Sequence, residues 1–289
     1  MPRRRRSRRR SRPDEPQAVE HRLHGDLLAE NGRIDDAIVE YERAAQLDDK
    51  DPDTSVALGD AYFEANMPRK AYSAYKKALS AHPRHAEAHF CLAEFWINLS
   101  RFAAATLALE KAVNCDPTRH YYQCRLGELY ARRGHFQRAE KQFRAAIDLA
   151  PDDGFYHHKL GDLFARRGNW EAAAAEYETA IACSPAEDFY NVRLSAVYVR
   201  QARIEDALAQ LRRAYLISPD TRVYLHLIGE LLLLSGDHES ALEAYQRAGR
   251  LDEYDRDWVR RWHLRSGLPS QMARVGWGAE IYEIDAQPR

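Results

Sequence analysis

The nine residues "LGELYARRG", Leu126 to Gly134, return 34 residues later as "LGDLFARRG", Leu160 to Gly168. A chain that restates itself at a fixed interval of this size is built from small supersecondary units. No such unit can bury its apolar faces alone, and each is covered by its neighbours. The interval runs through most of the sequence. Frames beginning at residues 18, 52, 86, 120, 154, 188 and 222 follow one another without an insertion.

Their columns agree. The eighth position is Gly25, Gly59, Ala93, Gly127, Gly161, Ser195 and Gly229, and the twentieth is alanine from Ala37 to Ala241 in all seven frames. The twenty-seventh is also alanine throughout, Ala44 to Ala248, while the twenty-fourth is large: Tyr41, Tyr75, Leu109, Phe143, Tyr177, Leu211 and Tyr245. Pro83, Pro117, Pro151, Pro185 and Pro219 hold the thirty-second position of the five middle frames. Apolar residues recur at helical spacing in both halves of a frame, so each frame reads as two helices. The small columns let the two helices approach, and the large column fills the space they leave. Gly32, Gly134, Gly168 and Gly236 at the fifteenth position suit a left-handed residue ending the first helix. Proline, excluded from a helix interior, separates one frame from the next.

This pattern, L-G-x2-Y followed by A-x3-F and a closing P in 34 residues, resembles the tetratricopeptide repeat (TPR), over residues 18–255. The departures are local. Ala93 and Ser195 replace the glycine, Trp96 and Leu232 the tyrosine, and Asp49 and Glu253 the closing proline of the first and last frames. The resemblance implies an all-α, right-handed superhelical solenoid of seven repeats: 18–51, 52–85, 86–119, 120–153, 154–187, 188–221 and 222–255. It also implies a non-enzymatic scaffold or adaptor that binds other proteins, with the first helices lining a concave groove.

Flanking segments read differently. Residues 1–17 carry Arg3, Arg4, Arg5, Arg6, Arg8, Arg9, Arg10 and Arg12 against Asp14 and Glu15, and offer nothing apolar to bury. They are expected to be a disordered tail. Residues 18–51 hold ten acids against four bases, so the tail is expected to fold loosely onto Asp35, Asp36, Glu40 and Glu42. Three roles for the arginines stay open: a tether to nucleic acid or another polyanion through residues 3–12, that contact within the chain, or a functionless leader in an arginine-rich sequence of 36 Arg to 7 Lys. At the other end, "RDWVRRWHLRSG" (256–267) predicts one more helix with Trp258 and Trp262 on one face, a cap on the open end of the stack. Residues 268–289 lack helical periodicity and are expected to be a partly ordered tail.

Four cysteines, none in a C-x-x-C pair, make no disulfide framework, and the basic start is not followed by an apolar run. The most apolar segment, "LHLIGELLLL" at 225–234, is too short for a membrane span and contains Glu230. A cytoplasmic protein with reduced thiols is expected. Chemistry is weakly signalled. His82, His85, His89 and Cys91 are zinc-ligand types, but the frame divides them between an inter-repeat turn and different helix faces, so no metal is expected. No phosphate loop, nucleophile elbow or paired carboxylate emerges, and neither cofactor nor catalysis is expected.

The groove carries the functional reading. By the resemblance, positions 2, 5, 6, 9, 12 and 13 face it, and these share one helical stripe. Frames one and two show Asp26, Glu30, Asp60 and Glu64 there; frames four to six show Tyr121, Arg125 and Arg132, then Phe155, Lys159 and Arg166, then Phe189, Arg193 and Arg200. His158 joins them as a groove-lining residue. One aromatic and two bases, repeated three times, fit an extended acidic peptide anchored by its apolar side chains. The opposing reading is ordinary helix chemistry, with Glu128 and Asp162 neutralising Arg125, Arg132, Lys159 and Arg166 at helical spacing. Ala196 stands where frame six would carry that acid, leaving Arg193 and Arg200 without an in-helix partner and expected to face solvent.

Overall fold

A computed structural model describes residues 15–268. The arginine tail, Arg3 to Arg12, and the segment after Leu268 lie outside the described residues. Two compact units divide between His135 and Phe136, within the fourth frame. In the first unit the helices are α1 (Glu15–Glu30), α2 (Ile34–Leu47), α3 (Pro52–Glu64), α4 (Pro68–Ala81), α5 (Ala86–Asn98), α6 (Phe102–Cys115) and α7 (His120–Arg132). In the second they are α8 (Phe136–Leu149), α9 (Gly154–Arg166), α10 (Trp170–Cys183), α11 (Asp188–Arg200), α12 (Ile204–Ile217), α13 (Arg222–Ser235), α14 (His238–Ala248) and α15 (Glu253–Ser266). Within each unit, antiparallel hairpins pack on the next hairpin, as in α1/α2 on α3 and α9/α10 on α11. The fold class is an all-α solenoid.

The joint inside each hairpin is stereotyped. The fifteenth residue of every frame has positive φ: Gly32 at 72°, Gly134 at 79°, Gly168 at 73° and Gly236 at 86°, but also Asn66 at 58°, Ser100 at 57° and Ala202 at 58°. The next amide reaches back five residues to a helix carbonyl in all seven, from Arg33 to Leu28 (2.9 Å) through to Asp237 to Leu232 (2.9 Å). This closure satisfies a carbonyl the helix end would orphan, and it outweighs the Cβ penalty at the three residues that are not glycine.

The small and large columns meet. A Cβ on Gly25 would fall 2.5 Å from the Tyr41 ring, on Gly59 2.5 Å from Tyr75, on Gly161 2.8 Å from Tyr177 and on Gly229 3.0 Å from Tyr245. Where the eighth position has a side chain, at Ala93 and Ser195, the twenty-fourth is the smaller Leu109 and Leu211, and all four are buried. Size complementarity is therefore kept frame by frame. Tyrosine hydroxyls fix the helices further. Tyr41 donates to Asp26 (2.9 Å), Tyr75 to Asp60 (2.5 Å) and Tyr177 to Asp162 (2.6 Å) within a frame. Between frames, Tyr62 donates to Glu42 (2.5 Å), Tyr130 to Glu110 (2.5 Å) and Tyr198 to Glu178 (2.6 Å).

Both flanks depart from expectation. Helix α1 begins at Glu15, inside the segment expected to be tail, because Pro16 is tolerated in a first turn, where an amide donor is dispensable. Helix α15 begins at Glu253, ahead of the expected 256, with Asp252 accepting from Asp255 at its N-cap (2.8 Å). Nor does it simply cover the last hairpin: it packs on α11 as well as α13. A buried indole N–H needs an acceptor, and Trp262, 2% exposed, finds it in the Ser195 hydroxyl at 3.2 Å. His263 Nε2 lies 2.6 Å from buried Glu230 Oε2.

Candidate functional site

The expected ladder falls on the first helices of the hairpins, and the structure gives its two bases separate tasks. The inner base stands over the ring one turn before it: Lys159 Nζ is 4.8 Å from the Phe155 ring centroid, and the Arg193 guanidinium 4.5 Å from that of Phe189. The outer base reaches the preceding frame. Arg132 stacks over Phe102 at 4.1 Å, Arg166 over Phe136 at 5.7 Å and Arg200 over Trp170 at 5.1 Å. Such contacts contribute about 0.5–1 kcal/mol at exposed sites, and here they tie successive repeats. The tie has a sequence signal, an aromatic at the seventeenth position thirty residues before each of these arginines.

In the first unit, Tyr121 is 45% exposed and leans on Phe90, with ring centroids 5.5 Å apart. Arg125 is held by Glu94 through two hydrogen bonds (2.9 and 2.6 Å) and by Glu128 (2.6 Å). The pair expected within the helix forms, and Glu94 from α5 adds to it. Burial alone would lower the Arg125 pKa, but these carboxylates outweigh it and raise it. The facing acids continue through Asp60, whose carboxyl is pushed up by burial, with Glu87 and Glu64 adding to it.

In the second unit the site has a buried floor. His158 is 6% exposed, with Phe189 and Tyr190 at 5.1 and 5.4 Å between ring centroids, so it supports the rings from beneath. Its Nε2 is 3.4 Å from Asp162 Oδ2, and Asp162 Oδ1 is 3.7 Å from Arg193 Nη1. Burial would raise the Asp162 carboxyl; His158, Arg193 and the Tyr177 hydroxyl outweigh that and hold it well below the usual carboxylate range. Arg193 thus has its charge partner on α9, and its side chain is 12% exposed. The expected solvent-facing disposition holds for Arg200 and not for Arg193. Arg200 is nevertheless engaged, donating to the carbonyls of Arg265 (2.7 Å) and Leu264 (3.0 Å) at the end of α15.

The remaining candidates have separate partners. His85 Nε2 lies 3.0 Å from Asp53, His89 Nε2 3.0 Å from the Pro83 carbonyl and Cys91 Sγ 3.7 Å from Asp60. Among the described residues no group of three metal-ligating side chains converges, and no helix is long and apolar enough to cross a membrane. Of the acids expected to meet the tail, Glu40 is paired with His21 and Arg43, Glu42 takes Tyr62, and Asp36 takes Arg33. Sequence reasoning missed the ring-to-acid bonds, although Asp at the ninth position coincides with Tyr at the twenty-fourth in frames one, two and five.

Tandem helix hairpins closed by left-handed joints, with glycine set against a tyrosine ring inside the hairpins of frames one, two, five and seven, define an all-α repeat protein. The chain belongs to the tetratricopeptide-repeat family. A tetratricopeptide-repeat profile matches residues 56–120, 124–188 and 193–256, and a TPR-repeat profile matches residues 25–66. Solved structures agree in fold. PilF of Pseudomonas aeruginosa is 17% identical, with a TM-score of 0.61 over 72% of this chain and 95% of its own. A tetratricopeptide repeat protein from Parabacteroides merdae is 16% identical, with a TM-score of 0.60 over 86% and 99%. MamA is 22% identical, with a TM-score of 0.51 over 56% and 94%. Comparison with curated protein sequences gives no match.

Proposed function

We propose that this chain is a non-enzymatic protein-interaction scaffold that captures an extended, acidic segment of a partner on the first-helix faces of its repeats. The observation that carries the reading is the ring-and-cation pair repeated on α9 and α11, Phe155 with Lys159 and Phe189 with Arg193. Both rings are half-buried, held by packing yet open on one side, which suits anchoring apolar side chains at low entropic cost. Cations on those rings favour acidic neighbours in the same segment. Family membership supports a scaffold in general terms; the acidic, extended partner is our reading of these residues.

The test is capture on an array of extended peptides of graded acidity, comparing the chain with its Phe155→Ala and Lys159→Ala variants. Acidic peptides with apolar anchors are expected to be retained, and each variant is expected to weaken retention about tenfold or more. Arg200 is a poor probe, since its replacement would loosen α15. Retention that ignores Phe155 and Lys159, or that favours basic peptides, overturns the proposal.

A further inference from the structure

Helix α15 leaves a cavity of about 130 Å³ against α11. Three cations converge on it: Arg193 from α11, and Arg261 and Arg265 from successive turns of α15. Its remaining walls include Phe189, Trp258 and Trp262. Against three guanidinium groups stands Asp162, which meets Arg193 at 3.7 Å through the oxygen that also accepts the Tyr177 hydroxyl. Arg193 Nε is buried without a hydrogen-bond partner. The Arg261 side chain makes one long bond, 3.3 Å, to the Asp257 carbonyl. Desolvation, then Arg193 and Arg261 nearby, hold Arg265 below the ordinary arginine range.

A buried N–H without a hydrogen-bond partner is costly to maintain for stability alone, and Asp162 is one carboxylate beside three guanidinium groups, of which Arg261 and Arg265 are exposed and open to a ligand. Guanidinium groups present planar forks that match a carboxylate, and indole and phenyl walls suit the methylenes that carry it. We propose that this pocket receives an Asp or Glu carboxylate of the partner peptide. The inference rests on the proposed function and deepens it: α15 is part of the binding site, and the acidity of the partner is read by arginines contributed from two helices. Arg261 and Arg265 are both exposed; that they share a pocket with Arg193 depends on where α15 docks, which no repeat column encodes.

The experiment uses the full chain and a fluorescein-labelled hexaglutamate peptide, followed by fluorescence anisotropy, with hexaglutamine as the neutral control. Variants are Arg261→Gln with Arg265→Gln and, as a control for net charge, Arg212→Gln with Arg213→Gln on α12. The Trp262 indole N–H resonance reports whether α15 stays docked, and Arg265→Gln alone serves if the double variant loses it. Hexaglutamate is expected to bind and to shift that resonance, with affinity falling about tenfold or more in the α15 variant and staying within twofold in the α12 variant. Equal weakening by both pairs, no effect of the α15 pair, or no binding by the unmodified chain overturns the pocket. Capture of array peptides that is lost in Phe155→Ala and intact in the α15 variant overturns the pocket while leaving the proposed function standing. Capture lost in neither overturns both.

Discussion

Frame five offers a test in which one substitution should change sign. A Cβ at Gly161 would lie 2.8 Å from Tyr177 Cε1 and 2.9 Å from Cδ1, inside the 3.4 Å where ordinary contact begins. The ring cannot swing aside freely, since Tyr177 is 2% exposed and its hydroxyl is bonded to Asp162 at 2.6 Å. Gly161→Ala should therefore cost roughly 3 kcal/mol in over-packing and hydrogen-bond loss, offset by about 1 kcal/mol of improved helix propensity, a net loss of about 2 kcal/mol. Tyr177→Leu alone should cost about 3 kcal/mol through the cavity it leaves and the hydrogen bond to Asp162 it removes. In that background the alanine meets no ring, and Gly161→Ala should become stabilising by up to about 1 kcal/mol, a coupling of about 2–3 kcal/mol. The chain already contains the compensated pairs, Ala93 with Leu109 and Ser195 with Leu211. Because repeat arrays need not unfold as one unit, urea unfolding should be paired with hydrogen exchange on α9 and α10. If Gly161→Ala is equally destabilising with Tyr177 or Leu at residue 177, size complementarity does not govern the hairpin.

Other outcomes follow from single features. Ala202 sits at φ 58°, so Ala202→Gly should raise stability by about 1 kcal/mol in denaturant unfolding, whereas Gly168→Ala at the equivalent joint should lower it by a similar amount. Burial would raise the Glu230 carboxyl, but His226 and His263 hold it below its usual 4.5. The stability it lends is present above pH 4.5 and lost as pH falls through the lower folded value. Exchange protection of α15 should decline on that acid side, and Glu230→Gln should flatten the decline. Arg200→Gln removes two donors from the end of α15 and should increase exchange at Leu264–Gly267 while leaving α9 unchanged, a loss of about 1 kcal/mol.

The hairpins, their joints and their close-packed columns were legible because each rests on residues a fixed distance apart within one frame. Gly168 announces a left-handed joint; Ala202 does not, since only the backbone closure to Tyr198 (2.9 Å) imposes its conformation. The site was half legible. Phe155 and Lys159, four residues apart on one helix, meet as their spacing requires. The fate of Arg193 depended on Asp162 from the neighbouring hairpin, and that of Arg200 on where α15 would lie. Helix α15 has no counterpart among the repeats, so no column could fix its docking, and the hydroxyl of Ser195 gave no sign of its indole partner.

That docking alters how the chain's end can come apart. In a linear array the terminal repeat has one neighbour and opens first. Here the Trp262–Ser195 bond spans 67 residues, and α13 lies within the span, also packed against α15. The last hairpin cannot peel away until this clasp is undone. Opening of α13 should therefore track opening of α11, so that proteases encounter a last hairpin which opens late and cooperatively. The same closure joins helices far apart in sequence, so it should form late, after the hairpins it joins.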